Sequence, residues 1–141
     1  MTPTELKASK EFDIRFSEVD SMGVVWHGSY PLYLEDAREE WGRKYGFGYL
    51  DMMNNGFYAP IVDMSIQYKR PIFYGMRARV DITYHPTVAA KLIYDYEIHD
   101  ASDDSLLTTG HTLQVFMDKE YKLMLEYPPF VIEWKKRWNI E

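Results

Sequence analysis

Apolar and polar residues alternate along several stretches of the chain, and this period of two is typical of β-strands with one buried face. A first stretch runs from Phe12 to Phe16. Turn residues at positions 71–75, 85–90 and 100–105 separate the later stretches, and we expect hairpin-like connections there. These later stretches predict four strands, with apolar positions at Val62, Met64, Ile66 and Tyr68; Ala78, Val80, Ile82 and Tyr84; Leu92, Tyr94, Tyr96 and Ile98; and Leu113, Val115 and Met117.

One segment shows the period of an amphipathic helix instead. Charged residues occupy much of its surface, and its apolar residues recur three or four positions apart, at Tyr30, Leu34, Ala37, Trp41 and Tyr45. Ser29 is a suitable N-cap, Pro31 is tolerated in the first turn, and Gly46 supplies a stop. We therefore expect one long helix here and a short C-terminal helix within Pro128–Trp138.

The predicted elements follow in the order strand, long helix, four strands and short helix. A single long helix buries its apolar stripe most directly by lying across the sheet. This order predicts an α+β protein with the hot-dog fold, in which an antiparallel sheet of about five strands wraps around one long central helix. The 141 residues fit a single domain, with residues 1–10 as a loosely ordered N-terminus. Because the edge and second face of the sheet need cover, we also expect a homo-oligomer.

Composition argues against several kinds of protein. The formal net charge of −6 disfavours binding to nucleic acid, and the absence of cysteine excludes disulfides, a zinc–thiolate site and a cysteine nucleophile. The N-terminal residues lack the apolar core of a signal peptide, and no apolar run approaches the roughly 18 residues that span a bilayer. We expect a cytoplasmic protein with no membrane span, no metal site and no cofactor.

The most informative segment joins the first strand to the long helix and reads Asp20-Ser-Met-Gly-Val-Val-Trp-His-Gly-Ser-Tyr30. It resembles the signature of the 4-hydroxybenzoyl-CoA thioesterase family and of its bacterial short-chain acyl-CoA thioesterase relatives. The segments Tyr68–Pro71 and Thr109–Asp118 are also similar, so that the resemblance covers about residues 11–134. One departure is Gly75-Met76, where the relatives often have a Gly-Asp pair.

The resemblance implies that the protein hydrolyses an acyl-CoA thioester, with coenzyme A as part of the substrate. Asp20 would be the catalytic carboxylate, as nucleophile or general base, and His27 would contribute an oxyanion donor through its N–H. The position of the segment agrees, because the first amides of a helix lack intrahelical acceptors and stabilise negative charge. A structural role for Asp20 is also available, since aspartate commonly starts an Asx-turn.

Other residues of the matched segments are candidates for substrate binding. In the loop these candidates are Gly23, Val24, Trp26 and Tyr30. Tyr30 also lies on the apolar stripe of the helix, where a role in core packing is expected. Lys69 and Arg70 would meet the phosphate groups of CoA, although basic residues on exposed strands also protect sheet edges. Glu35 is a reserve catalytic residue, because some hot-dog enzymes use a helix carboxylate in place of the loop aspartate.

Two alternatives to hydrolysis stay open. A hot-dog dehydratase would pair a loop histidine with a helix glutamate, for which His27 and Glu35 are available, but this leaves Asp20 unexplained. A non-catalytic acyl-CoA-binding protein would not need the carboxylate at all. The sequence leaves open the acyl group and whether CoA or an acyl carrier protein is the donor. It also leaves open a dimer or a homotetramer, the dimer of dimers that is common among the relatives.

Overall fold

Seven strands and three helices follow one another along residues 5–140, the part of the chain that the computed structural model describes. In chain order they are β1 (Lys7–Asp13), α1 (Tyr30–Tyr45), α2 (Tyr49–Asn54), β2 (Phe57–Tyr58), β3 (Ile61–Tyr68), β4 (Arg77–His85), β5 (Lys91–Asp100), β6 (Leu106–Asp118), β7 (Leu123–Met124) and α3 (Pro129–Arg137). This order confirms the predicted order of the elements, to which the short elements α2, β2 and β7 are additions. The position of the first strand is wrong, because β1 ends at Asp13 and the predicted stretch Phe12–Phe16 lies mostly beyond it. No helix in the described range is long and apolar enough to cross a membrane.

The strands of the sheet are antiparallel, as the alternation predicts. β1, β4, β5 and β6 lie side by side, and β3 pairs with the other side of β6. The hairpins at 85–90 and 100–105 are confirmed, because β5 pairs with both β4 and β6. The hairpin expected at 71–75 is wrong, since this segment links β3 to β4, which are not neighbours in the sheet. Turn residues mark where a strand ends but do not identify its partner.

The helix α1 crosses one face of the sheet and buries the predicted apolar stripe against it. Trp41 is fully enclosed, and its ring packs against those of Tyr84 (5.4 Å between centroids), Tyr94 (5.0 Å) and Trp134 (5.6 Å). Gly46 ends the helix as predicted, and its N–H donates to the Gly42 carbonyl. The predicted C-terminal helix is confirmed as α3, whose Trp134 closes this cluster.

The start of the chain departs from the loosely ordered segment expected at residues 1–10. β1 begins at Lys7 and pairs with β4, and the preceding Leu6 is buried. The indole N–H of Trp41 donates to the Leu6 carbonyl (3.2 Å). The expectation is therefore wrong for the second half of that segment, because polar residues on its exposed face conceal the strand. The first four residues lie outside the described range.

The buried face of β6 also differs from the prediction. Alternation places Leu113 and Val115 in the core, but both are only half-buried. The buried positions in this part of β6 are Thr112, Gln114 and Phe116. The Thr112 hydroxyl forms a 2.6 Å hydrogen bond with the Tyr96 hydroxyl, and the Gln114 side-chain amide donates to the Ala59 carbonyl. These hydrogen bonds stabilise Thr112 and Gln114 on the buried face of β6, where the apolar pattern predicts Leu113 and Val115.

A network of charged groups lies on the outer face of the sheet around His99. The Nε2 atom lies 2.8 Å from the Glu97 carboxylate, and Nδ1 lies 3.1 Å from the Asp104 carbonyl. Arg79 and Asp81 of β4 complete the network. Partial burial acts to lower the pKa of His99, but the hydrogen bonds to Asp104 and Glu97 outweigh it and raise this pKa above its ordinary value.

We predict that His99 stabilises the fold more at low pH than at high pH. Because its pKa is raised in the folded state, the contribution is complete below the unfolded pKa of about 6.5 and is lost as the pH rises through the folded value. We expect wild type to have a larger free energy of unfolding in urea than His99→Gln, and this difference should be greater at about pH 5.5 than at about pH 8.5. An equal difference at both pH values would contradict this prediction.

Candidate active site

A tight turn holds Asp20 on the loop between β1 and α1. Its backbone N–H donates to the Val24 carbonyl (2.8 Å), and the Gly23 N–H donates to the Asp20 carbonyl (3.0 Å). The carboxylate oxygen Oδ1 accepts hydrogen bonds from the amides of Met22 (2.9 Å) and Val24 (3.2 Å). The side chain is exposed, and the hydrogen bonds of the described residues do not involve Oδ2. The turn therefore fixes the carboxylate by one oxygen and leaves the other open.

The same type of turn occurs elsewhere in the chain. Gly23 permits the first turn because its φ of 77° lies in the left-handed region that favours glycine. At the end of β6, Oδ1 of Asp118 accepts from the amides of Glu120 (2.8 Å) and Lys122 (3.0 Å), with the same spacing. This hydrogen-bonding pattern is therefore the Asx-turn that the structural reading of Asp20 predicts. Because the two turns have the same hydrogen bonds, only the position of Asp20 in the fold can give it a role that Asp118 lacks.

The Asp20 turn is attached to the connection between β3 and β4. The Tyr74 N–H of this connection donates to the Gly23 carbonyl (2.9 Å). Lys69 and Arg70 begin the same connection, and the backbone amides of both donate to the Leu107 carbonyl (3.0 Å each), while their side chains are exposed. The catalytic candidate Asp20 and the binding candidates Lys69 and Arg70 thus lie on two segments that are hydrogen-bonded to each other.

Glu18 ties the loop to α1, a role that no sequence pattern indicates. Its carbonyl accepts from the Trp26 N–H (2.9 Å) and from the Ser29 hydroxyl (3.1 Å). The side chain of Ser29 therefore does not cap α1 as predicted, because a 3-10 turn precedes the helix and the hydroxyl bonds Glu18 instead. The Glu18 carboxylate accepts from the Tyr33 hydroxyl (3.1 Å). Burial and this carboxylate raise the pKa of Tyr33, which keeps its hydroxyl a donor.

The loop ends in the 3-10 turn His27–Ser29, which runs directly into α1. The amides of His27 and Gly28 begin this turn, and the hydrogen bonds of the described residues include no acceptor for either. A Cβ atom at Gly28 would lie 2.0 Å from the ring of Trp26, so a larger residue here would displace this exposed ring. The His27 side chain is exposed. The free amides and the α1 dipole make this end of the helix a place where negative charge is stabilised.

Large apolar side chains on the loop and on the adjacent β3–β4 connection are exposed to solvent. They are Phe16, Met22, Trp26, Phe73 and Tyr74. Exposed apolar clusters of this kind are typical of surfaces that bind a ligand or another protein. Together with the open carboxylate and the free amides, they supply the components that hydrolysis of an ester or thioester needs.

The remaining candidates lie outside this loop. Tyr30 is buried in the first turn of α1, where its ring packs edge-on against that of Tyr68 (4.7 Å), and burial raises its pKa. It is therefore a core residue of this chain. Glu35 is exposed and lines, with Arg38, a cavity that includes no residue of the Asp20 loop. In the described range no three histidine, aspartate or glutamate side chains are arranged to hold a metal ion.

Comparison with known proteins identifies the family. The family model described as the thioesterase-like superfamily matches residues 14–135. The chain belongs to this superfamily. YneP of Bacillus subtilis, named as a candidate acyl-CoA thioesterase, is 30% identical over 129 residues, which are 90% of this chain and 91% of YneP. A solved DHNA-CoA thioesterase from Staphylococcus aureus is 30% identical, with a TM-score of 0.82 over 93% of this chain and 89% of its own.

A more distant structure shows the shared fold. Slr0204, a 1,4-dihydroxy-2-naphthoyl-CoA thioesterase from Synechocystis, is 23% identical, with a TM-score of 0.82 over 96% of this chain and 99% of its own. Membership of the thioesterase-like superfamily confirms the predicted hot-dog fold and identifies the protein as a thioester hydrolase. The dehydratase alternative is thereby disfavoured. The match does not single out the 4-hydroxybenzoyl-CoA subfamily within the superfamily.

Proposed function

We propose that this member of the thioesterase-like superfamily hydrolyses an acyl-CoA thioester to a free carboxylic acid and CoA. The observation that supports this most is the Asp20 turn, which leaves one carboxylate oxygen open on the loop that leads into the free amides of α1. The names of YneP and of the staphylococcal thioesterase support a CoA thioester as the substrate.

Asp20 acts in this proposal by one of two routes. As a nucleophile, its carboxylate attacks the thioester carbonyl carbon, CoA leaves as the thiolate, and water hydrolyses the resulting mixed anhydride. As a general base, the carboxylate takes a proton from the water that attacks the same carbon. Both routes need the same orientation of the Asp20 carboxylate, in which the amides of Met22 and Val24 hold Oδ1 and leave Oδ2 to react.

The amides of His27 and Gly28 stabilise the oxyanion that forms on the thioester oxygen. Among the described residues neither amide has an acceptor, and both lie at the positive end of the α1 dipole. A single well-placed donor of this kind contributes about 2.7–4 kcal/mol to catalysis. His27 acts through its backbone N–H, and its exposed side chain is a further contact for the thioester.

Coenzyme A binds, in this proposal, across the loop and the β3–β4 connection. Lys69 and Arg70 are exposed and meet its phosphate groups with charge-assisted hydrogen bonds. The exposed ring of Trp26 and the half-buried Val24 offer apolar contact to the arm that carries the thioester. Gly23 contributes by permitting the turn rather than by touching the substrate.

We also propose that the functional unit is a homodimer, alone or within a dimer of dimers. β3 pairs with β6 on one side, and no strand of the described residues pairs with its other side. The register of β3 with β6 shifts between Ile61 and Asp63, and Val62 between them is 57% exposed. An open strand edge with exposed apolar residues is a template for pairing with another chain. Two β3 strands paired in this way continue the sheet across both protomers.

The first prediction of this proposal concerns turnover. Asp20→Asn should lower the rate of free-thiol release from a panel of acyl-CoAs at least about a hundredfold, because the amide is neither a base nor a nucleophile. Its carbonyl oxygen still accepts the turn hydrogen bonds, so the fold should be unchanged. Asp118→Asn is the matched control, since Asp118 makes the same turn far along the chain from α1, and it should retain turnover. Equal turnover in wild type and Asp20→Asn would overturn the assignment of Asp20.

The second prediction concerns assembly. Val62→Lys should raise the dissociation constant of the dimer at least about tenfold, because it places a charge at the paired edge. Sedimentation equilibrium measures this constant. Val88→Lys is the control, since Val88 is also an exposed valine but lies between β4 and β5. Dissociation constants that are the same for Val62→Lys, Val88→Lys and wild type would exclude the β3 edge as the interface.

A further inference from the structure

Glu18 lies on the loop between β1 and α1, and four hydrogen bonds converge on it. Its carbonyl accepts from the Trp26 N–H (2.9 Å) and from the Ser29 hydroxyl (3.1 Å). Its carboxylate atom Oε1 accepts from the Arg15 N–H (2.7 Å) and from the Tyr33 hydroxyl (3.1 Å). One residue therefore links the end of the first strand, the 3-10 turn that precedes α1 and α1 itself.

The hydrogen bond between Trp26 and Glu18 closes the base of the lobe that carries Asp20. Within this lobe, Val19 and Val25 face each other as an antiparallel bridge. The Asp20 turn therefore projects from a paired base, and the place of this base depends on how Glu18 is held. A movement of Glu18 relative to α1 would move the Asp20 carboxylate with it.

The same base also positions the amides that the proposed function assigns to the oxyanion. The Glu18 carbonyl accepts from Trp26 and from Ser29. His27 and Gly28, whose amides have no acceptor in the described part of the chain, lie between these two donors. The carboxylate and the two amides thus share one support. Because a misplacement of about 1 Å can cost about a hundredfold in rate, the support matters for turnover.

Tyr33 fixes the side chain of Glu18 from α1. This tyrosine is only 1% exposed, and its ring packs against those of Phe12 (4.5 Å between centroids) and Tyr30 (6.1 Å). Because neighbouring rings hold it, the hydroxyl is a fixed point on the edge of the core. Burial and the Glu18 carboxylate raise the pKa of Tyr33, so that the hydroxyl remains a donor at neutral pH.

We propose that Glu18 and Tyr33 are positioning residues, which hold the Asp20 carboxylate at the working distance from the two amides that begin the 3-10 turn. This inference rests on the proposed function for the reaction that is positioned. Glu18 acts here as a hydrogen-bond acceptor and not as a second acid or base. Its charge is therefore dispensable, whereas the oxygen that receives the Arg15 and Tyr33 donors is not.

The kinetic test compares thiol release from a panel of acyl-CoAs by wild type, Glu18→Ala and Glu18→Gln. Glu18→Ala should lower kcat at least about tenfold and change KM less than about threefold, because only the alignment of the reacting groups is lost. Glu18→Gln should retain at least about a third of the wild-type kcat, since its side-chain oxygen still accepts both hydrogen bonds. An unchanged kcat in Glu18→Ala, or an equal loss in both variants, would overturn the inference.

Tyr33→Phe removes one hydroxyl and keeps the ring, so the test does not depend on the folding of Glu18→Ala. It should lower kcat at least about threefold, and the double variant should stay within about twofold of Glu18→Ala, because the two residues act as one unit. Tyr45→Phe is the matched control, since the Tyr45 hydroxyl also projects from α1 and donates to a backbone carbonyl, that of Lys7. Both single tyrosine variants should lower the free energy of unfolding, but only Tyr33→Phe should lower kcat. Losses that multiply in the double variant, or equal kcat in Tyr33→Phe and Tyr45→Phe, would contradict the proposed pair.

Amide hydrogen exchange tests the support of the loop independently of turnover. The Trp26 amide should exchange at least about tenfold faster in Glu18→Ala and in Tyr33→Phe than in wild type, because local opening of the loop exposes it. Its rate in Glu18→Gln and in Tyr45→Phe should be that of wild type. Unchanged exchange in Glu18→Ala would overturn this inference alone. A wild type that releases no thiol from any acyl-CoA would instead overturn the proposed function, and the exchange rates would still decide whether Glu18 and Tyr33 hold the loop.

Discussion

Trp41 packs at the centre of the interface between α1 and the sheet, in contact with Tyr84, Tyr94 and Trp134. Its indole N–H donates to the Leu6 carbonyl, which ties α1 to the residue before β1. Truncation of a buried aromatic side chain to alanine typically costs about 3–5 kcal/mol, so the position of α1 on the sheet is strongly determined. Once α1 is fixed, its first amides are fixed as well, and the loop from β1 must approach them from the sheet. The catalytic proposal therefore depends on a packing contact that is itself remote from the chemistry.

The pair of turns at Asp20 and Asp118 separates local geometry from function. Both carboxylates accept two backbone amides with the same spacing, and both are recognisable as Asx-turns. Of the two, only Asp20 is followed by a 3-10 turn that continues into a long helix and whose first two amides have no acceptor in the described part of the chain. A carboxylate in this turn becomes chemically useful because of what lies next to it, and Asp118 shows that the turn alone is a structural motif.

Much of this architecture is predictable from the sequence, because in α1, β4 and β5 the apolar residues recur with a regular period and are the residues that are buried. The Asp20 loop is predictable for a similar reason, since its candidates are contiguous. The sequence does not predict the partner of β3 or the contacts by which Glu18 holds the loop against α1, because both depend on which distant segments meet in three dimensions. The start of β1 is concealed because an edge strand needs apolar residues on one face only, and its exposed face is polar.

Gln114 shows why the failure of a local rule can be informative. Alternation favours its neighbours Leu113 and Val115 as core residues, yet the structure buries Gln114, whose amide oxygen has no hydrogen-bond partner among residues 5–140. A fold selected for stability alone would place an apolar side chain there, because hydrocarbon of the same volume avoids the cost of the unpaired oxygen. Departures from consistency of this kind concentrate at functional sites. At this position the hydrogen bond from Nε2 to the Ala59 carbonyl offsets part of that cost and ties β6 to the segment that precedes β3.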